Sequence, residues 1–377
     1  MTILVIALVI LIFGFLVFIH ELGHFVVARR NGVEVHEFGF GFPPRLLGKR
    51  MGRTIYSINL IPLGGFVKLK GENLTDKEEG SFGAASFWAK TRILFAGVTM
   101  NALAAWAILI GLCLTGLPPV INGQYSHGSF TYSQPKQVIV VAVEPGSPAQ
   151  QAGIKRGSMI LGGRDVVNEG NFRQFKSEQD LLDFTKSHAG QKVEFFLPPT
   201  KAEEKLLSAS AKTPDHVVDV TLRPADAKNG FLGVTPFQTY KTRYGFVDSI
   251  ITASGLTVQL MWATLASFAG LVVGLVAHGQ VSNQVAGPVG IVVLLKNILD
   301  FGISYVLIFV ASISISLAVI NALPLPALDG GRWTLALYQR LSRRQLSEQA
   351  EAMVHAAGFL ALIALMVVIT FTDIRRL

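Results

Sequence analysis

Long apolar runs alternate with polar stretches along this chain. Four runs approach or exceed the ~20 residues that a helix needs to cross a bilayer. They cover residues 1–19, 93–117, 303–323 and 353–371. The first carries no charge. It also lacks a basic leader and a small-residue cleavage site, so it is expected to stay as a helix rather than leave as a signal peptide. The second stops at Pro118 and Pro119, and the third at Pro324 and Pro326. A fifth run, 256–277, is apolar but carries Gln259, Ser267 and many small residues.

The polar stretches have their own periods. Residues 54–60 and 66–70 alternate apolar and polar, which predicts a hairpin with its turn near Pro62, Gly64 and Gly65. The glycines and prolines of 39–44 predict a bent loop before it. Residues 124–250 regain ordinary polarity. Within them, 138–143, 193–197 and 217–222 read as strands, 177–186 as a helix with Leu181, Leu182 and Phe184 apolar, and 144–161 as turn, short helix, turn and strand.

Composition narrows the class. Half of the 377 residues are apolar and 15% are charged, against the ~25% charged of soluble domains. One cysteine, Cys113, excludes a disulfide scaffold. The net charge of +8 does not point to nucleic acid, because the basic residues sit beside the apolar runs. Residues 29–92 hold Arg29, Arg30, Arg45, Lys49, Arg50, Arg53, Lys68, Lys70, Lys77, Lys90 and Arg92. The positive-inside rule then places 29–92 in the cytoplasm, the N-terminus outside and 124–250 outside.

The chemistry lies at the end of the first run, in His20-Glu21-Leu22-Gly23-His24. Two imidazoles at i and i+4 share one helix face and can share one zinc, and Glu21 beside them is placed as a general base. Chance accounts for such a match at roughly 0.6%, so the motif is a signal. Ionisable groups at membrane depth point the same way. Catalytic zinc takes three protein ligands. His36, His127, His188, His216, His278 and His355 show no ligand spacing. Asp329 is the best third donor. Pro324 and Pro326 must unwind the third apolar helix just before it, and Gly330 and Gly331 follow it.

These motifs resemble the site-2 protease family of intramembrane zinc metalloproteases, and its RseP-like bacterial branch most of all. H-E-L-G-H and the N-x-x-P-x-P-x-L-D-G-G run at 321–331 carry the resemblance. Residues 95–101 and 286–291 resemble further motifs of that branch. The resemblance implies one zinc on His20, His24 and Asp329, with Glu21 as the base and Asn321 and Pro324 positioning the substrate. It also implies a re-entrant β-element at 53–70, whose edge at Gly64, Gly65 and Phe66 would pair with an unwound substrate strand. Such proteases cut membrane helices of anchored regulators, such as anti-sigma factors or signal-peptide remnants, after another protease has removed the outer part. The implied location is the bacterial inner membrane.

Residues 137–224 resemble a PDZ domain. Ser158 departs from the Asp usual there, and the tandem pair of some RseP-like proteins is absent. Such a domain would bind a chain end or act as a size filter, and the filter is favoured.

The expected fold is a polytopic α-helical membrane protein with four transmembrane helices, a membrane-associated β-hairpin and an inserted extracytoplasmic α+β domain. For both metal motifs to meet, the first and third helices must run the same way. Residues 256–277 then make no net crossing, and both termini lie outside. The expected divisions are 1–123, 124–250, interfacial helices over 251–302, and 303–377. A transporter is the competing class, but no internal repeat supports it. A non-catalytic membrane binding protein is the other alternative.

Overall fold

The computed structural model describes residues 2–72, 74, 76–166, 171–198, 216–226, 230–278, 286–344 and 346–375. They form two compact units: 1–112, 124–127 and 246–377 make the first, and 113–123 and 128–245 the second.

The first unit opens with α1 (Thr2–Arg30), 29 residues long. At 1.5 Å per residue this is about 44 Å, more than the ~30 Å bilayer core. It is apolar all round. Val5 and Leu16 are buried, while Ile3, Leu4, Leu11 and Phe15 face outward, as on a helix bathed partly in lipid. The helix does not stop at the H-E-x-x-H motif, as the apolar run suggests. It continues to Arg30, because Phe25 and Ala28 keep an apolar face buried past the motif.

Next come β1 (Val35–Met51) and β2 (Thr54–Leu69). The reversal between them is at Gly52-Arg53, not near 62–65. Residues 37–40 pair with both 55–58 and 65–68, and 45–51 pair with 54–59. The expected hairpin therefore lies wholly inside β2, and the expected loop 39–44 lies inside β1. The glycines there mark close approach instead of a loop. A Cβ on Gly41 would come 2.7 Å from the Ile61 carbonyl oxygen. The chain then enters α2 (Phe87–Thr115). Phe25, Val35, Phe38, Phe82, Ile93 and Leu94 form one buried cluster that ties α1, the sheet and α2 together.

The second unit is α+β. Its elements are β3 (Phe130–Val143), α3 (Pro148–Gln151), β4 (Met159–Ile160), β5 (Gly162–Asp165), β6 (Arg173–Gln174), α4 (Glu178–Ser187), β7 (Lys192–Leu197), β8 (His216–Thr221) and β9 (Val234–Tyr244). They form two sheets, ordered β4-β3-β9 and β6-β5-β7-β8. Ser177 caps α4 in a capping box with Asp180. Val138, Ile160, Phe175, Phe184, Val193 and Phe195 fill the core.

The remainder of the first unit is helical: α5 (Phe246–His278), α6 (Pro288–Leu299), α7 (Ile303–Ala322), α8 (Asp329–Ser342) and α9 (Glu348–Arg375). Five helices among the described residues are long and apolar enough to cross a membrane: α1, α2, α5, α7 and α9. The run at 256–277 is thus the greater part of one unbroken 33-residue helix. Val5 and Leu16 of α1 pack on Leu295 of α6 and on Val306, Phe309 and Ile313 of α7. The α7 helix ends where expected, one residue short of Leu323-Pro324, because proline offers no N–H and pushes its predecessor to an extended conformation.

Candidate metal centre

His20 and His24 project from the C-terminal half of α1, and Asp329 is the first residue of α8. The turn of 323–328 brings Asp329 back towards them. Leu325 N–H bonds the Leu323 carbonyl at 2.7 Å, and Leu328 N–H bonds the Leu325 carbonyl at 3.2 Å. The glycines after Asp329 serve space more than flexibility. A Cβ on Gly330 would collide with the Ala322 and Leu323 carbonyls, so only glycine lets α8 start this close to the end of α7.

Three donor atoms meet in a small triangle. His20 Nε2 lies 3.1 Å from His24 Nε2 and 3.0 Å from Asp329 Oδ2. His24 Nε2 lies 3.2 Å from the same oxygen. Ligands 2.0–2.1 Å from a tetrahedral zinc stand about 3.3 Å apart, so the triangle has the size of one zinc face. His24 Nδ1–H donates to the Ile93 carbonyl at 2.8 Å, which leaves a lone pair on Nε2 of the neutral ring. The two rings are 7% and 8% exposed, too buried for water to serve them freely. Room for an ion is kept by Gly97 on α2. A Cβ there would sit 2.5 Å from His24 Nε2 and 2.6 Å from His20 Nε2. The donor set therefore fits zinc. Among the described residues, His20, His24 and Asp329 form the one such cluster of three.

Glu21 is placed differently. Its side chain lies against β2, where a Cβ on Gly65 would come 3.7 Å from Glu21 Cγ. With His24 and Asp329 it lines a cavity of about 290 Å³, together with Gly65, Phe66 and Phe42. Gly64 packs instead against Val17 of α1. Asn321 ends α7 half-buried and Pro324 is exposed in the following turn, and neither lines this cavity. Sequence reasoning missed the ion pair Arg332–Glu72, 3.5 Å long, whose members both line the cavity. It also missed the contribution of α2: Ile93, Gly97 and Asn101. The signal was their spacing of four, which puts all three on one helix face.

A helix-borne H-E-x-x-H with a carboxylate as third donor is the equipment of a zinc-dependent peptidase. A family model described as peptidase family M50 matches residues 8–365, and the chain belongs to that family. It is 30% identical over 372 residues to a Clostridium acetobutylicum protein named, provisionally, a zinc metalloprotease, covering 98% of this chain and 97% of that one. It is 25% identical over 454 positions to the regulator of sigma-W protease RasP of Bacillus subtilis, covering 98% and 97%. The zinc metalloprotease RasP of Bacillus licheniformis is 26% identical over 458 positions, covering 98% of both chains. The chain is a zinc metalloprotease and a multi-pass membrane protein.

Proposed function

We propose that this protein is an intramembrane endopeptidase, with zinc held by His20, His24 and Asp329 and Glu21 as the general base. One observation carries the reading. Donors 309 residues apart in sequence converge within 4.8 Å, two from the C-terminal half of the membrane-length α1 and one from just beyond the end of the membrane-length α7. Zinc, when bound, supplies Lewis acidity and makes a water nucleophilic at neutral pH.

The remaining roles fall to the chain. Glu21 lines the cavity beside His24 and Asp329, where it can take a proton from the attacking water and return it to the leaving amine. A helical substrate hides its carbonyls, so it must be held extended. Residues 65–68 pair on one side with 37–40, and Gly65, Phe66 and Val67 line the same cavity as Glu21. That edge, at Gly65 and Phe66, is where a substrate strand would add. Gly64 shapes the bend by packing on Val17, and Asn321 and Pro324 would guide substrate along the end of α7. The substrates would be single-span membrane proteins of the bacterial inner membrane, already shortened outside by another protease. The relative in Bacillus subtilis is named as a regulator of sigma-W, which supports anti-sigma factors as one such class.

The second unit would be a single PDZ-like domain on the extracytoplasmic side. A groove of about 280 Å³ runs between α4 and residues 230–236. Next to its lining residues Gln179 and Pro236, the Gln238 N–H is bonded to Glu178 Oε1 at 2.9 Å. A strand donor beside the groove that is taken by the unit's own side chain suits a size filter better than a chain-end receptor.

The test is cleavage of a single-span model helix in detergent by wild type and Glu21→Gln. Loss of a general base typically costs 10²–10⁴ in rate, so the variant should show no measurable cleavage while keeping its zinc. Cleavage near the wild-type rate would remove Glu21 from the mechanism. In the same assay, a substrate with an intact folded outer domain should be spared by wild type, and rapid cutting of it would contradict the filter.

A further inference from the structure

The second ring nitrogen of each zinc-binding imidazole decides whether the first can bind. For His24 the Nδ1–H donates a hydrogen bond to the Ile93 carbonyl. For His20 the partner is Asn101 of α2, whose amide lies 3.2 Å from His20 Nδ1 and which is fully buried. In the orientation of the structure the amide Nδ2 faces the ring and Asn101 Oδ1 has no partner. An amide N–H aimed at Nδ1 would put the ring proton on Nε2, where it would block the metal. Amide oxygen and nitrogen are distinguished by their hydrogen bonds and not by their positions. Turning the amide over leaves one buried amide atom unpaired either way, so the ring's chemistry decides the orientation.

We propose that Asn101 Oδ1 accepts a hydrogen bond from His20 Nδ1–H and thereby keeps the Nε2 lone pair facing the metal. Asn101 is then a positioning residue for zinc, acting through His20. The proposal rests on His20 being a zinc ligand. The rest of α2 is built to the same end. Ile93, Gly97 and Asn101 follow one another at intervals of four on one face: a carbonyl for His24, a gap for the ion and an acceptor for His20. Asn101 is itself anchored. Ser314 Oγ–H of α7 donates to its backbone carbonyl at 2.7 Å, and Ser314 is fully buried. This bond fixes α2 against the helix that leads to Asp329.

The experiment is zinc affinity by chelator competition in detergent, on the full chain. The variants are Asn101→Leu, which has neither donor nor acceptor, Asn101→Asp, which can only accept, and His20→Ala. Removing such an outer partner typically weakens metal binding 10–100-fold. Asn101→Leu should fall in that range, Asn101→Asp should stay within about threefold of wild type or bind tighter, and His20→Ala should lose the most. Wild-type affinity in Asn101→Leu would overturn the assignment. So would an Asn101→Asp protein that loses zinc tenfold or more, since that result would make the amide a donor. This second arm decides even if Asn101→Leu does not fold. Retained affinity in His20→Ala would instead overturn the ligand set, and this proposal with it.

Discussion

At the scale of single residues, the metal centre depends as much on what is missing as on what is present. Gly97 lies where any side chain would enter the space between His20 and His24. In a helix interior alanine is favoured over glycine by about 0.8–1 kcal/mol, so Gly97→Ala gives the backbone no reason to unfold. We expect it to lose zinc and to fall at least ~10²-fold in cleavage, by elemental analysis and the model-helix assay, with its thermal unfolding little changed. Full zinc in Gly97→Ala would show that the ion sits elsewhere. His20, Glu21, His24 and Asp329 were legible in the sequence because charged and metal-binding side chains stand out within apolar runs. Gly97 and Asn101 were not legible as parts of the centre. A glycine and an amide four apart have many uses in a membrane helix, and only the packing of α2 on α1 selects this one.

At the scale of elements, glycine and proline misled where the backbone does unusual things. The segment 39–44 reads as a loop, yet it lies within β1, because its glycines admit neighbouring backbone and keep the pairing. The hairpin expected at 54–70 proved to be one bent strand, since its partner is the preceding segment 35–51 and not its own second half. Strand pairing between distant segments leaves no local mark. β9 likewise escaped notice, being polar and paired with β3 about a hundred residues away. Helix stops were easier to read: Pro324 ends α7 within a residue of the expected place.

The α5 helix poses the element-scale test. At 33 residues it spans about 50 Å and could cross a bilayer. A full crossing would need a return before α7, and α6, at 12 residues, covers only about 18 Å. The proximity of His20 and His24 to Asp329 requires α1 and α7 to run the same way. We therefore expect no net crossing between Asp248 and Asp300. Cysteines placed at these two positions in a Cys113→Ala background should be labelled from the same side by an impermeant reagent. Labelling from opposite sides would defeat the parity argument and with it the four-span topology.

At the scale of the whole molecule, one small cluster joins the two ends of the chain. Two ligands come from the first helix and the third from a turn more than three hundred residues later. The second unit is inserted between them as a separately folded body with its own core. This division was visible as a change of polarity, but its extent was not, because the closing strand β9 carries little apolar pattern. The fold thus separates a membrane unit that holds the chemistry from a polar unit with a core of its own. Everything proposed for the first unit depends on zinc being held by both ends of the chain at once. The measurement that bears on it most directly is the zinc content of purified wild type and Asp329→Ala, by elemental analysis against protein concentration. Wild type should hold one zinc per chain and Asp329→Ala little or none. Equal zinc in the two proteins would mean that Asp329 does not bind the metal, and that the centre described here is not the one that works.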